Sequence, residues 1–273
     1  MGTLAVVSRK GGSGKSTLAT NLAAYLARRT ESITLGDLDH QQSMRVWLAR
    51  RPSAAPRINA WVGDSTGLAR PAFGTQHLVL DTPGGLHGLG LARVVMAADA
   101  ILLPVGGSVF DRESASDCWN ELRSQPRVAS GKCRVAAVGM RIDSRTGVED
   151  VTREWAASVN LPYVSTLRMA QIYVRAVENG ISLFDMPENV GELDRLQWEP
   201  LLAWTEPVLS PLTSEDRTGP GLHPSGKVVP LRPRDPRPMA ARVPCPPLPA
   251  LAPAAAKTSL LSKLLPNFLA RMG

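Results

Sequence analysis

Cysteine is scarce. The 273-residue chain has three, Cys118, Cys133 and Cys245, scattered and odd in number, with no CxxC pair. That excludes a disulfide framework and a thiolate metal site, and it suits a reducing cytoplasm. Long apolar runs are missing too: none approaches the ~18 to 20 residues that cross a bilayer. A strand begins at once, Thr3 to Val7, with no charged-then-apolar leader, so neither a membrane span nor secretion is expected. Aromatics are only 5% of the chain, and its four histidines show no H-x-x-x-H spacing. Lysine is rare as well, with 6 against 25 arginines. Two of those six, Lys10 and Lys15, fall in one loop, which marks lysine as required there. No internal repeat is visible.

What is present divides the chain in two. At 44% hydrophobic and 20% charged residues, most of it can bury an ordinary soluble core. The formal net charge of +7 is uneven: residues 1–206 hold 22 basic and 21 acidic groups, and residues 207–273 hold 9 and 3. The first part is therefore near neutral, and any nucleic-acid surface on it must be a local patch. Thirteen of the 23 prolines lie between Pro207 and Pro253. Proline at that density holds neither helix nor interior strand, so 207–256 reads as an extended, disordered linker, either a spacer or a Pro-rich docking segment. Beyond it, 257–273 reads as an amphipathic helix. Leu260, Leu261, Leu264, Leu265, Phe268 and Leu269 share one face, with Lys257, Lys263 and Arg271 around it and Pro266 interrupting. Three destinations stay open for 258–271: its own core, a partner groove, or a membrane surface.

Residues 1–206 alternate strand and helix. Strands are expected at Leu4–Val7, Ile33–Leu35, Leu78–Leu80, Ala100–Leu103, Val135–Val138 and Tyr163–Leu167. Helices are expected at Ser16–Arg29, Gln42–Arg50, Glu113–Arg123, Val148–Val159, Ala170–Glu178 and Glu192–Trp204. Near-continuous apolar strands separated by helices predict an α/β fold, a doubly wound and mostly parallel sheet covered on both faces. Ligands of such sheets bind beyond the carboxyl ends of the strands, where the polar punctuation of this chain falls.

The loop after the first strand is the strongest signal. Ser8 to Thr17 carries a P-loop between a strand and a helix. Gly11, Gly12, Ser13 and Gly14 let backbone amides turn around a phosphate, and the helix from Ser16 and Thr17 points its N-terminus at the anion. Lys15 reaches the outer phosphates, and Ser16 offers a hydroxyl to Mg²⁺.

With Lys10 the loop reads K-G-G-x-G-K-S-T, which resembles the deviant Walker A motif of the ParA/MinD family of P-loop ATPases. Asp37-Leu38-Asp39-His40-Gln41-Gln42-Ser43 resembles that family's D-x-D-P-Q-x-S segment, with His40 in place of proline. Leu78 to Gly85 resembles the Walker B strand and the loop after it, and Ala98–Val105 and Arg168–Gly180 continue the likeness, which spans about 1–205 and is closest to short plasmid-type ParA proteins. The resemblance implies an ATPase, slow without a partner, using ATP and Mg²⁺. Lys10 would cross a dimer interface to the other subunit's phosphates. Asp39 would orient the attacking water, and Asp37 and Asp81 would join Ser16 around the metal. It places the base near Arg141 and near the loop holding Met186 and Pro187. It assigns backbone-only DNA contact to arginines of the C-terminal helices, here Arg168, Arg175 and Arg195. It also implies an ATP-dependent homodimer, a ParB-like adaptor that stimulates hydrolysis, and cargo or DNA partition on the nucleoid. The alternatives are a MinD-like ATPase anchored to a membrane through 258–271, and a non-catalytic scaffold. Trp47, just after the Asp39 turn, is the tryptophan expected to report on nucleotide.

Overall fold

The computed structural model describes residues 1–30, 32–39, 42–62 and 74–209. Among these residues seven strands form one sheet: β1 (Gly2–Val6), β2 (Ile33–Asp37), β3 (Asn59–Val62), β4 (His77–Asp81), β5 (Ala100–Val105), β6 (Arg134–Met140) and β7 (Tyr163–Leu167). Their order is β3-β2-β4-β1-β5-β6-β7 and every pair is parallel. The helices are α1 (Lys15–Ala27), α2 (Ser43–Arg50), α3 (Gly88–Ala97), α4 (Val109–Arg123), α5 (Pro126–Ala129), α6 (Val148–Ser158), α7 (Gln171–Glu178) and α8 (Glu192–Leu209). Single 3-10 turns lie at Ser144–Thr146 and Leu183–Asp185.

Strand periodicity builds the two layers. Along β1 and just past its end, Leu4 and Val6 face one side while Ala5 and Val7 face the other. The first side packs against Leu18 and Leu22 of α1, Trp47 of α2, Tyr173 of α7, and Trp198 and Leu201 of α8. The second packs against Leu91, Val94 and Val95 of α3 and Ala115, Cys118 and Leu122 of α4. This is the doubly wound sheet that the alternation of elements predicts. β1 lies at the centre, flanked by β4 and β5, so its carboxyl end opens into the crevice where the strand order diverges.

Three elements were not anticipated. β3 is only four residues and pairs with β2 alone. α3 opens with Gly88 and holds Gly90, which hid its apolar face at Leu91, Val94 and Val95. α5 is a single turn begun by Pro126. Two boundaries also move. α4 starts at Val109, four residues before Glu113, because Ser108 and Asp111 form a capping box. α8 continues to Leu209, through Pro200 and Pro207, beyond the boundary expected at 206. Buried Thr205 and Leu209 hold that last stretch against the sheet. Pro104 lies inside central β5, where a missing N–H is normally costly. Its position on the ladder matches that of Leu102, whose carbonyl accepts from Val7 of the β1 side. β1 pairs with β5 only as far as Leu102, so Pro104 withholds its donor where no partner strand remains. His40, Gln41, the Pro-rich stretch from residue 210 and the segment 257–273 lie outside the described residues.

Candidate functional site

β1 ends at Val6 and helix resumes at Lys15, leaving a loop at the centre of the sheet's carboxyl edge. Gly12 and Gly14 have φ of 67° and 98°, a region that residues with a Cβ enter only at a cost. No side chain caps α1 and no acidic residue lies in its first turn, so its leading amides remain available to an anion. Lys15 is buried, 7% exposed, and its Nζ donates to the carbonyl of Lys10 at 3.2 Å, inside the loop. Burial lowers the Lys15 pKa, while Asp81 and Asp39 act in the opposite direction.

Ser16 Oγ donates to Asp81 Oδ2 at 2.7 Å. Asp81 Oδ1 is buried without a hydrogen-bond partner. Burial pushes the Asp81 carboxyl up to about 7; Ser16 and Lys15 pull it down, and Asp37 and Asp39 push it further up. An orphaned carboxylate oxygen beside a serine hydroxyl fits a hard cation that takes oxygen ligands. Asp37 is opposite Asp81 in the β2–β4 register. Its Oδ1 accepts the amide of Asp39 and its Oδ2 that of Met44, each at 3.0 Å. Its visible task is therefore to fix the turn that presents Asp39, and burial raises its pKa. Thr82 is pinned by its hydroxyl to the carbonyl of Val6 at 2.7 Å, and the loop that follows runs past the phosphate loop. A Cβ on Gly84 would sit 3.3 Å from the Gly11 amide nitrogen, so glycine permits this approach.

The phosphate loop, Asp39 and the Pro83–Gly85 loop open onto one cleft of about 1100 Å³, with Asp37, Asp81 and Thr82 buried and not among its lining residues. Gly11 to Thr17, Asp39, Pro83 to Gly85, Met140 and Arg141 line it, with Leu167 to Gln171, Tyr173 and Val174 on the far rim. Arg141 has a left-handed φ of 56°, and its guanidinium donates to the carbonyl of Gly12, so it braces the phosphate loop from the end of β6. Met186 and Pro187 do not line the cleft. Their carbonyls accept from Arg195, which also holds the carbonyl of Leu183. Residues of β7, α7 and the segment between them line the rim instead.

The three arginines expected at DNA are placed differently from one another. Arg168 makes a two-point ion pair with Asp194, at 2.8 and 2.9 Å. Arg195 is spent on the three carbonyls just named. Arg175 stands exposed on α7, and its side chain makes no hydrogen bond or ion pair among the described residues. Trp47 is buried, with its indole N–H on the carbonyl of Ile181, behind the cleft and not in it.

Sequence reasoning missed the role of α4. Its Asp111 carboxylate binds the Lys10 ammonium, and its Glu121 binds the Arg9 guanidinium. Glu121 also accepts the amide of Gly88, at the start of α3, at 2.6 Å. The Ser108-x-x-Asp111 spacing could have placed the helix start, but nothing local points Asp111 at a residue 101 positions away.

The P-loop, the Ser16–Asp81 pair and the parallel sheet define a nucleotide-binding protein. The chain belongs to the family described as the CobQ/CobB/MinD/ParA nucleotide binding domain, which matches residues 4–191. It is 27% identical over 192 residues to the maintenance of carboxysome distribution protein A of Halothiobacillus neapolitanus, a match covering 67% of this chain and 87% of that one. It is 39% identical over 113 residues to the protein of the same description from Gloeobacter kilaueensis, covering 40% and 50%. Among solved structures it resembles apo McdA of Cyanothece (TM-score 0.57, 17% identity, 77% of this chain and 100% of that one). It also resembles a plasmid partition protein of Borrelia burgdorferi bound to AMPPNP (TM-score 0.58, 14% identity, 74% and 99%). At these identities the structural likeness shows the fold. No helix among the described residues is long and apolar enough to cross a membrane.

Proposed function

We propose that the protein is an Mg²⁺-dependent ATPase that works as a dimer switch to position a large cargo by cycling on non-specific DNA. The observation that carries this reading is one cleft lined by Lys15, Ser16 and Asp39, with buried Asp81 bonded to Ser16 and Lys10 next in sequence to the lining residues Arg9 and Gly11. Phosphoryl transfer to water asks for positioning and charge neutralisation more than for covalent chemistry. The loop amides and Lys15 hold the triphosphate, and Asp39, set by its Asp37-anchored turn, orients the water. Ser16 and Asp81 hold Mg²⁺, which when bound neutralises charge on the phosphates. Lys10 binds Asp111 of α4, whose first turn also carries exposed Val109 and Phe110, which a facing subunit would cover. ATP would then stabilise the paired state by binding it better, and hydrolysis would release it.

The cargo reading draws on relatives named for carboxysome distribution and on a fold shared with a plasmid partition protein. A ParB-like adaptor as activator and DNA as the track belong to the same reading, with Arg175 as the first DNA contact. The test is retention of the full-length protein on DNA with ATP, with ADP and without nucleotide, across a salt series. ATP-dependent, sequence-independent retention is expected, and Arg175→Ala should lower the log–log salt slope by about one per subunit. Retention that ignores nucleotide would remove the switch, and an unchanged slope would remove Arg175. Membrane anchoring through 258–271 is the competing reading, and ATP-dependent pelleting with anionic vesicles but not with DNA would favour it.

A further inference from the structure

Glu121, in the last turn of α4, spends its two carboxylate oxygens on two different loops. Oε2 binds the guanidinium of Arg9, where the phosphate loop opens, and Oε1 accepts the Gly88 amide at 2.6 Å, where α3 begins. A carboxylate at the C-terminal end of a helix opposes that helix's own dipole, so α4 gives no local reason for it. Both partners depend on it. His87 supplies no side-chain cap to α3, so the leading amide of α3 is satisfied from another helix. Arg9 Nε is buried without a partner, and the bond to Glu121 is the one hydrogen bond its side chain makes among the described residues. Cys118, one turn earlier on the same face of α4, is fully buried; burial pushes its thiol up to about 11, and Arg9 acts against that rise. The loop between Thr82 and Gly88 is thereby held at both ends, by the Val6 carbonyl at its start and by Glu121 at its end. Between them Pro83, Gly84 and Gly85 line the cleft. A Cβ on Gly84 would lie 3.3 Å from the Gly11 amide nitrogen, and one on Gly85 3.9 Å from the Arg9 carbonyl. Gly85 and Gly88 have φ of 78° and 58°, so this backbone has the freedom of glycine and its position depends on the anchors at its ends. Lys15 Nζ, the group that reaches the outer phosphates, rests on the Lys10 carbonyl, which makes this the outer-phosphate end of the cleft.

We propose that Glu121 is a positioning residue that sets the spacing between the phosphate loop and the Pro83–Gly85 loop, and through it the preference of the cleft for a triphosphate over a diphosphate. The inference rests on the reading of the cleft as an ATP site. One carboxylate shared by both loops makes their separation a property of a single side chain. The outermost phosphate lies between the two loops and feels that separation. The inner phosphates are held by the amides of the phosphate loop and the start of α1, which Glu121 does not touch. Arg9 is the arm through which Glu121 reaches the phosphate loop, so the two residues act as one unit.

The test is calorimetric binding of AMPPNP and of ADP, each with Mg²⁺, to the full-length protein at concentrations where sedimentation shows a monomer. Glu121→Ala should weaken AMPPNP binding by about three- to tenfold and ADP binding by less than about twofold, the loss expected of one partly exposed charged contact. Glu121→Gln keeps an acceptor for the Gly88 amide and loses the charge on Arg9, so it should fall between wild type and Glu121→Ala. Arg9→Ala should show the same selective loss, and Arg9→Ala combined with Glu121→Ala should lose less than the sum of the two. Thermal melts of each variant record what the contacts contribute to the fold. Equal losses for the two nucleotides, unchanged affinities, or additive losses in the double variant overturn the proposal and leave Glu121 as a cap for α3. A wild-type chain that binds neither nucleotide overturns the reading of the cleft itself and this inference with it, so the two failures are told apart.

Discussion

The hydroxyl of Ser16 and the carboxylate of Asp81 meet at 2.7 Å, which ties the first turn of α1 to the last residue of β4. The two residues are 65 positions apart and come together because β1 and β4 are paired neighbours whose carboxyl ends align. The second Asp81 oxygen is buried and has no partner, so the pair is incomplete without a cation or a proton. Ser16→Ala and Asp81→Asn should each raise the Mg²⁺ concentration for half-maximal binding of a fluorescent ATP analogue by about 10- to 100-fold, the usual effect of losing a group that orients a metal's shell. Binding measured without Mg²⁺ should change far less. A Mg²⁺ titration that superimposes on wild type would take both residues out of the metal site.

A second long-range pair governs acid stability. Arg51, just after α2, grips Asp185 of the 3-10 turn at 2.8 and 2.9 Å, with both side chains nearly buried. Burial alone would raise the Asp185 pKa; Arg51 and the Ser182 amide outweigh it and hold the carboxyl below its ordinary value. The stabilisation is therefore present above the unfolded-state value, about 3.9, and is lost as pH falls through the lower folded value. Arg51→Met should cost about 3 to 5 kcal/mol at pH 7, because it strands a buried carboxylate. The same variant should cost much less at pH 3, where that carboxylate can take up a proton. Urea unfolding at both pH values checks this, and an equal loss at each would assign the effect to packing.

The parallel sheet was legible because each central strand is a short apolar run that ends in a polar residue or turn, Val7 before Ser8 and Leu80 before Asp81. The same punctuation located the phosphate loop and the Asp37-to-Asp39 turn. Helix α3 was hidden because Gly88 and Gly90 lower local propensity, while its stability comes from Leu91, Val94 and Val95 packed in the core. The rim of the cleft was harder to read, because it depends on how α7 lies on the sheet, and the Arg195 contacts to the carbonyls of Met186 and Pro187 have no local signature. Lys10 was readable as unusual, but its bond to Asp111 was not, since it depends on β5 delivering α4 to the side of the phosphate loop.

Gly14 combines two constraints that can be measured apart. Its φ of 98° strains any residue with a Cβ, and an added Cβ would meet the Met140 methyl carbon at 2.6 Å. Gly14→Ala should therefore weaken nucleotide binding through both backbone strain, about 1 to 3 kcal/mol, and collision with Met140. Met140→Ala removes the collision and leaves the strain. The double variant should recover part of the affinity lost in Gly14→Ala, with a coupling of about 0.5 to 3 kcal/mol in a binding cycle measured by calorimetry. Additive losses would show that the methionine moves aside freely and that backbone geometry alone makes glycine necessary at this position.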